Sequence, residues 1–435
     1  ITQLRELENQ TEQNNQPKVS EQQKLITEKV NEEKQEYLSK IKNLDTINTQ
    51  KETTYNNILL LGSTGYLGIN LLRSLLHLNS SKIATIIRGD NNITARERLS
   101  ELYRFYFNEE LPNNERLIVY AGDISKPLFG IDEIIYEELT QSVDGIINAA
   151  ANAKHYGSLE SFQKINVYPI ETMISLASQG ISKVIHHVST LSISGFKNAD
   201  SQDSSFLFTE KETNKNQNHT NFYTQSKLEG DTLLDKARQK GIKANIYRVG
   251  NLSFNSTNGS FQKNIEDNAF YNRIKSFLAV EAMPVSQQKM EISCIDQVAE
   301  AILLIFNKKE LLNRNFHIRN KHSLSTKEFA DLANKNGYPI TLEKMSNFFE
   351  NLLNQYSEKK ELINRFLLHS SAFDAQVSNV IPYQVCCDQT DYILDNLGFH
   401  WNKIDEQQIK QMLEYGERIN FWYRTHKVHK ELETV

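Results

Sequence analysis

Ile58-Leu-Leu-Leu-Gly62-Ser63-Thr64-Gly65-Tyr66-Leu67-Gly68-Ile69-Asn70-Leu71-Leu72 is the stretch that decides the fold. A short apolar run is followed at once by three glycines and then by an apolar helical pattern. Only 17 glycines occur in the chain, so three within seven residues mark a turn that tolerates no Cβ. A turn of this kind between a strand and a helix lets backbone N–H groups and the helix N-terminus meet a pyrophosphate, which points to a dinucleotide. Gly62, Thr64, Gly65, Tyr66, Leu67 and Gly68 are therefore candidates for coenzyme contact.

Further apolar runs occur at Ile83 to Ile87, Leu117 to Tyr120, Gly145 to Asn148, Val184 to Val188 and Ala244 to Tyr247, separated by helix-period segments. With Ile58 to Leu61 they make six strands joined by crossover helices, the pattern of an α/β, Rossmann-type doubly wound parallel sheet. Beyond about residue 260 helical patterns dominate, including Gln297 to Phe306 and Thr326 to Asn334. The expected organisation is a charged linker over residues 1–52, a dinucleotide-binding domain over 53–260 and a smaller, mainly helical C-terminal substrate domain over 261–435. Within the linker, Ile26, Val30, Tyr37, Ile41 and Leu44 follow a helical stripe that could lie against the main body.

Twenty residues after Gly68, Arg88 ends the second strand, where a coenzyme with free ribose hydroxyls would call for a carboxylate. An arginine there suits a 2′-phosphate, and Arg98 on the next helix could join it, whereas Asp90 argues the other way. NADPH is the expected coenzyme. Asp123 and Ile124 follow the third strand, and Ala149 and Ala150 follow the fourth. These four residues share the carboxyl edge of the sheet, where small side chains let a flat base approach.

Tyr223 and Lys227 stand four apart in a helical run and so share one face. An ammonium so placed lowers the pKa of a neighbouring phenol, preparing it to give a proton to a developing alkoxide, and can also bind the coenzyme by holding the nicotinamide ribose. Ser189-Thr190 comes directly after the fifth strand, at the same sheet edge as the glycine turn, and supplies a hydroxyl for a carbonyl oxygen. The catalytic candidates are Thr190, Tyr223 and Lys227, with Asn166 as a weaker candidate for ordering the lysine through water. His186 and His187 lie in an apolar strand and read as structural, and Cys386 and Cys387 as inert. No metal is assigned, because no cluster has ligand spacing.

Charge adds exclusions. The 49 basic and 54 acidic residues give a net charge of −5 with no long basic block, which argues against nucleic acid. No apolar run approaches the roughly 18 residues that span a bilayer, so no membrane partner is expected. Three cysteines without a disulfide framework fit a reducing, cytoplasmic setting. The chain begins with Ile1 rather than methionine, compatible with a piece of a longer polypeptide.

Taken in order, Gly62-Ser-Thr-Gly-Tyr-Leu-Gly, Ile87-Arg88, Gly122-Asp-Ile-Ser-Lys-Pro-Leu-Phe-Gly-Ile, Asn148-Ala-Ala-Ala, Val188-Ser-Thr-Leu-Ser, Tyr223-Thr-Gln-Ser-Lys227 and Tyr247-Arg-Val-Gly-Asn resemble the extended short-chain dehydrogenase/reductase superfamily. More closely, they are similar to terminal thioester reductase domains of nonribosomal peptide synthetases and to the related domains of carboxylic acid reductases. The resemblance covers residues 56 to 310 well and the remainder only in general character. It implies NADPH-dependent reductive release of a peptidyl or acyl thioester from the phosphopantetheine arm of an upstream carrier domain, giving an aldehyde or an alcohol. Thr190, Tyr223 and Lys227 match the catalytic residues of such domains, and Gly62, Gly65, Gly68 and Arg88 match their coenzyme contacts. Two departures stand out: Gly89 replaces a frequent alanine, and residues 191–221 are unusually polar. The alternatives are a fatty acyl-CoA reductase or nucleotide-sugar epimerase on the same scaffold, and a nonenzymatic dinucleotide sensor.

Overall fold

Strands buried on both faces read as short continuous apolar runs, and each parallel return needs a helix to cover it. The computed structural model describes residues 21–41, 48, 51–78, 80–154, 157–197, 205–219, 221–286, 289–344, 347–348, 350 and 381–424. The central sheet is built from β1 (Asn57–Leu61), β2 (Lys82–Ile87), β3 (Leu117–Ala121), β4 (Gly145–Asn148), β5 (Val184–Thr190), β6 (Lys243–Val249) and β7 (Asn315–Ile318). The strand order is β7-β6-β5-β4-β1-β2-β3, and every neighbouring pair is parallel. The first six strands fall where the apolar runs predict them. The seventh lies beyond residue 260, in the stretch read as helical, so the chain returns to the sheet after leaving it.

Side-chain alternation along the strands builds two cores. On one face Ile58, Leu60, Ile83 and Ile147 pack with α2 (Tyr66–Leu78), α3 (Asn92–Phe107) and α9 (Ile295–Phe306). On the other, Leu59, Leu61, Ile146, Ile185 and Ile246 pack with α4 (Glu133–Ser142), α6 (Tyr168–Ala177) and α7 (Phe222–Gln239). Helix α5 (Leu159–Asn166) precedes α6. A third cluster unites α8 (Ala269–Val280), α10 (Thr326–Lys335) and α12 (Glu406–Arg418) through residues such as Tyr271, Ile274, Phe329, Met412 and Trp422.

The stripe near the N-terminus forms α1 (Glu21–Ile41), whose Val30, Tyr37 and Ile41 are buried against Leu207 and Cys386. Leu44 lies outside the described residues. The polar stretch after β5 pairs with the C-terminal segment: Leu207–Phe208 runs parallel to Gln384–Val385, and Phe196–Lys197 antiparallel to Ile381–Pro382. Helix α11 (Asp388–Asn396) follows these short strands. Among the described residues, no helix is long and apolar enough to cross a membrane.

Candidate active site

Strand β1 lies between β2 and β4, where successive connections leave in opposite directions, and a crevice opens at the carboxyl ends of such strands. The glycine turn fills the bottom of that crevice. Gly62 has φ +82°, and a Cβ on it would come within 2.4 Å of the Ala150 nitrogen. A Cβ on Gly68 would stand 2.0 Å from the Gly62 carbonyl oxygen. Both positions therefore exclude a side chain: one lets the turn lie on Ala149-Ala150, the other lets α2 start against the turn. Helix α2 has no acidic residue in its first turn, so its positive end is left for an anion. This cradle fits a dinucleotide pyrophosphate.

The other predicted coenzyme residues divide into edge and scaffold. Thr64 and Gly65 lie on the accessible side of the turn, while Leu67 is buried in the core. Tyr66 turns away to pack on Phe261 and Tyr106, and its hydroxyl donates to the carbonyls of Ser253 and Ser260 at 2.9 and 3.1 Å. Its side chain thus ties the turn to the helical cluster. Arg88 and Arg98 are both exposed at the end of β2, with Arg98 Nη1 donating to the Arg88 carbonyl at 3.4 Å. A Cβ on the neighbouring Gly89 would lie 2.8 Å from the Ala95 nitrogen, so the absence of the frequent alanine follows from the tight start of α3.

Asp123 and Ile124 stand at the same edge, held by a loop in which Leu128 and Phe129 take left-handed φ values of 51° and 58°. Phe129 is buried in the core, and its carbonyl accepts from the Asp123 nitrogen at 2.8 Å, which offsets the strain of that backbone. Burial raises the Asp123 pKa, but hydrogen bonds from the Ser125 N–H and hydroxyl, with the nearby Arg88 charge, outweigh it and leave the carboxyl below its usual range.

Thr190 ends β5 and Tyr223 opens α7, whose N-cap Asn221 accepts from the Thr224 nitrogen. The Tyr223 pKa lies above its ordinary value because burial dominates, while a hydrogen bond with the Thr190 side chain works in the opposite direction. Thr190 and Tyr223 are therefore brought together as predicted. Ser189 faces the other side of the strand, its hydroxyl buried and without a hydrogen-bond partner among the described residues.

Lys227 departs from expectation. Its Nζ donates to the Val188 carbonyl at 2.7 Å and stands 3.2 Å from His187 Nε2, so the amine is engaged beneath the sheet edge and the phenol stays raised. Desolvation sets Lys227 down to about 8, with only Asp231 working upward. His187 is thus more than the filler its apolar strand implied, whereas His186 is filler: its ring lies between the hydroxyls of Tyr55 and Tyr247 at 3.0 and 2.8 Å, and burial pushes it down to about 3. Asn166 bonds the backbone of Asn152 and the Ser226 hydroxyl.

Sequence reading also missed the groups that fix the stretch beside the site. Arg248, fully buried on β6, donates to Asp231 Oδ2 at 2.9 Å, to the Glu212 carbonyl at 2.6 Å and to Thr213 Oγ1 at 2.8 Å. Glu210 accepts from the Tyr37 hydroxyl at 2.7 Å and from the Thr390 N–H and hydroxyl, each at 2.9 Å. Burial raises Glu210 to about 7 against those hydrogen bonds. Glu33 of α1 accepts from the nitrogens of Phe206 and Leu207, both at 3.1 Å. Cys386 and Cys387 are buried free thiols held above the usual range by desolvation.

Residues 60–302 match the family model NAD_binding_4, described as male sterility protein. The chain belongs to this NAD_binding_4 family. Like other NAD_binding_4 proteins it is an oxidoreductase built for a nicotinamide dinucleotide. It is 24% identical over 360 residues to a component of the linear gramicidin synthase of Brevibacillus parabrevis, an alignment covering 83% of this chain and 7% of that protein. The chain spans 7% to 26% of the lengths of three curated relatives. The terminal R domain from the myxalamid PKS-NRPS biosynthetic pathway superposes with a TM-score of 0.74 at 22% identity, covering 86% of this chain and 93% of that one. A thiolation-reductase di-domain from an archaeal non-ribosomal peptide synthetase gives 0.72 at 26% identity, with the same coverage of 86% and 93%. The resemblance to terminal reductase domains, and with it the Rossmann-type fold, therefore stands for this NAD_binding_4 chain.

Proposed function

We propose that the chain catalyses NADPH-dependent reductive release of a peptidyl or acyl thioester from a phosphopantetheine carrier arm, with an aldehyde as the first product. The observation that carries this reading is the meeting of Thr190 and Tyr223 at the sheet edge that also bears the glycine turn. The similarity to a thiolation-reductase di-domain supports a carrier domain as partner.

The chemistry supplied by a bound reduced nicotinamide is a hydride for the thioester carbonyl carbon. Gly62, Gly65, Gly68 and the start of α2 would hold the pyrophosphate, and Arg88 with Arg98 the 2′-phosphate. Thr190 and Tyr223 hydrogen-bond the carbonyl oxygen as negative charge grows on it, and donors already in place favour that state over the ground state. Tyr223, kept protonated by burial, gives its proton to that oxygen. Collapse of the resulting thiohemiacetal expels the pantetheine thiol.

The deciding experiment offers the protein an aminoacyl-pantetheine thioester, an acyl-CoA and a nucleotide sugar in turn with NADPH, following coenzyme consumption and product mass. Consumption with the pantetheine thioester and a product of aldehyde or alcohol mass is expected. Coenzyme consumption with the acyl-CoA alone would overturn the proposal in favour of an acyl-CoA reductase, and no consumption with either thioester would overturn it outright.

A further inference from the structure

Lys227 is 1% exposed, and a buried amine keeps its charge only where acceptors meet its protons. One acceptor is the Val188 carbonyl at 2.7 Å, and the other near group is His187 Nε2 at 3.2 Å. What His187 offers depends on its second nitrogen. Nδ1 lies 3.1 Å from Asn148 Nδ2, and Asn148 Oδ1 accepts from the Ala150 nitrogen at 3.1 Å. A backbone amide only donates, so Ala150 holds the Asn148 oxygen on its own side and leaves the NH2 facing the ring. That NH2 makes Nδ1 an acceptor and places the single proton of the neutral imidazole on Nε2, aimed at Lys227. An Nε2–H opposes an ammonium but hydrogen-bonds an unprotonated amine.

We propose that His187 and Asn148 are positioning residues forming a two-state proton switch beneath Lys227. In the amine state Nε2–H donates to Nζ and Asn148 stays bonded to Ala150. In the ammonium state Nζ has gained one proton, the imidazole still carries one, now on Nδ1, and Asn148 has turned its oxygen from the Ala150 amide to the ring. Ala149 and Ala150 are the residues that a Cβ on Gly62 would strike, so the switch runs from the lysine to the floor of the glycine turn. Its role in catalysis rests on the thioester-reductase reading, whereas the switch itself does not.

The surroundings isolate this pair. From α7 the near groups are Asp231 and Gly230, and a Cβ on Gly230 would lie 4.0 Å from His187 Nε2. From β6 Arg248 is occupied by Asp231, and His186 projects to the opposite face of β5. The low setting of Lys227, with burial as its main cause, agrees with a site that resists the ammonium form.

The test is nitrogen-15 NMR of the coenzyme-free protein across about pH 6 to 10, following the ring nitrogens of His187 and Nζ of Lys227. The expected result is an Nδ1–H tautomer below the lysine midpoint and an Nε2–H tautomer above it, both changes sharing one midpoint. A single tautomer throughout would overturn the proposal. In His187→Gln the amide oxygen accepts from the ammonium without a competing N–H, so the Lys227 midpoint should rise by about one unit or more. An unmoved midpoint there also overturns it, and the wild-type titration decides alone if that variant does not fold. A wild type that switches tautomer yet leaves thioesters unreduced sinks the functional reading and not the switch.

Discussion

A single phenol carries the proposed proton transfer, and its environment states what its loss would do. Tyr223 stays protonated, its pKa held above the ordinary value, and Thr190 lies beside it, so Tyr223→Phe removes the donor while leaving the glycine turn untouched. Thioester-dependent kcat should fall by about 100-fold or more, the usual worth of a placed general acid, with the NADPH Kd unchanged within about twofold. Stopped-flow turnover beside a fluorescence titration of the coenzyme checks both halves. Arg88 belongs to the other end of the coenzyme. Exposed and next to Arg98, it gives Arg88→Ala an expected loss of about 10-fold or more in NADPH affinity, with NADH affinity unaltered. Equal losses for the two coenzymes would show that these arginines do not read a 2′-phosphate. At this scale the legible residues were those whose role is local. Gly62 and Gly68 follow from a turn without room for Cβ, and the position of Tyr223 from helical spacing, whereas the engagement of Lys227 by Val188 and His187 does not. His187, Arg248 and Glu210 were opaque because their partners are 40, 17 and 173 or 180 residues away and only folding brings them together.

Among the elements, α1 is the one whose sequence stripe foretold contact but not its partner. It binds the stretch after β5 in two ways: Glu33 accepts from the Phe206 and Leu207 nitrogens, and Tyr37 donates to Glu210, which also accepts from Thr390 of α11. Helix α1, the stretch after β5 and the C-terminal segment thus close on one buried carboxyl. Tyr37→Phe removes one of its donors and should lower stability by about 1–3 kcal/mol. The same change should speed amide exchange at Phe206 and Leu207, measured by mass spectrometry. Slow exchange there in the variant would mean that this stretch holds without the helix. Strand β7 was illegible for a different reason: Asn315-Phe-His-Ile is short, half polar and set among helical patterns. Its polar members are used, since His317 meets Arg248 and the Cys386 carbonyl, and Asn315 the Glu210 carbonyl.

For the whole molecule, the carboxyl of Glu210 links stability to pH. Its folded pKa of about 7 lies above the ordinary carboxyl value of 4.5, so between those limits the folded protein holds a proton that the unfolded chain has released. Folding stability should therefore fall as pH rises from about 4.5 to about 7 and level off above, by about 3 kcal/mol from this group. Asp391, raised to about 6 mainly by burial, works in the same direction. Urea midpoints at the two ends of this window should differ less in Glu210→Gln than in the wild type. An identical slope in the two proteins would assign the pH dependence to other groups. The layered architecture was legible because alternation of apolar runs and amphipathic helices fixes a doubly wound sheet. The return of the chain to that sheet after the helical cluster was not, because no local pattern announces it.

That return bears on how shortened versions of the gene should be cut. Strand β7 covers β6 in the register Asn315↔Ile246 to Ile318↔Val249, and α9 lies over the same sheet. A polypeptide stopped at residue 260 would leave the ribosome with the outer rim of β6 bare, its N–H and C=O groups open to capture by a second copy, and with one sheet surface missing part of its cover. Fragments meant for crystallisation or for fusion to other proteins need the codons through Ile318 to avoid precipitating as they are made.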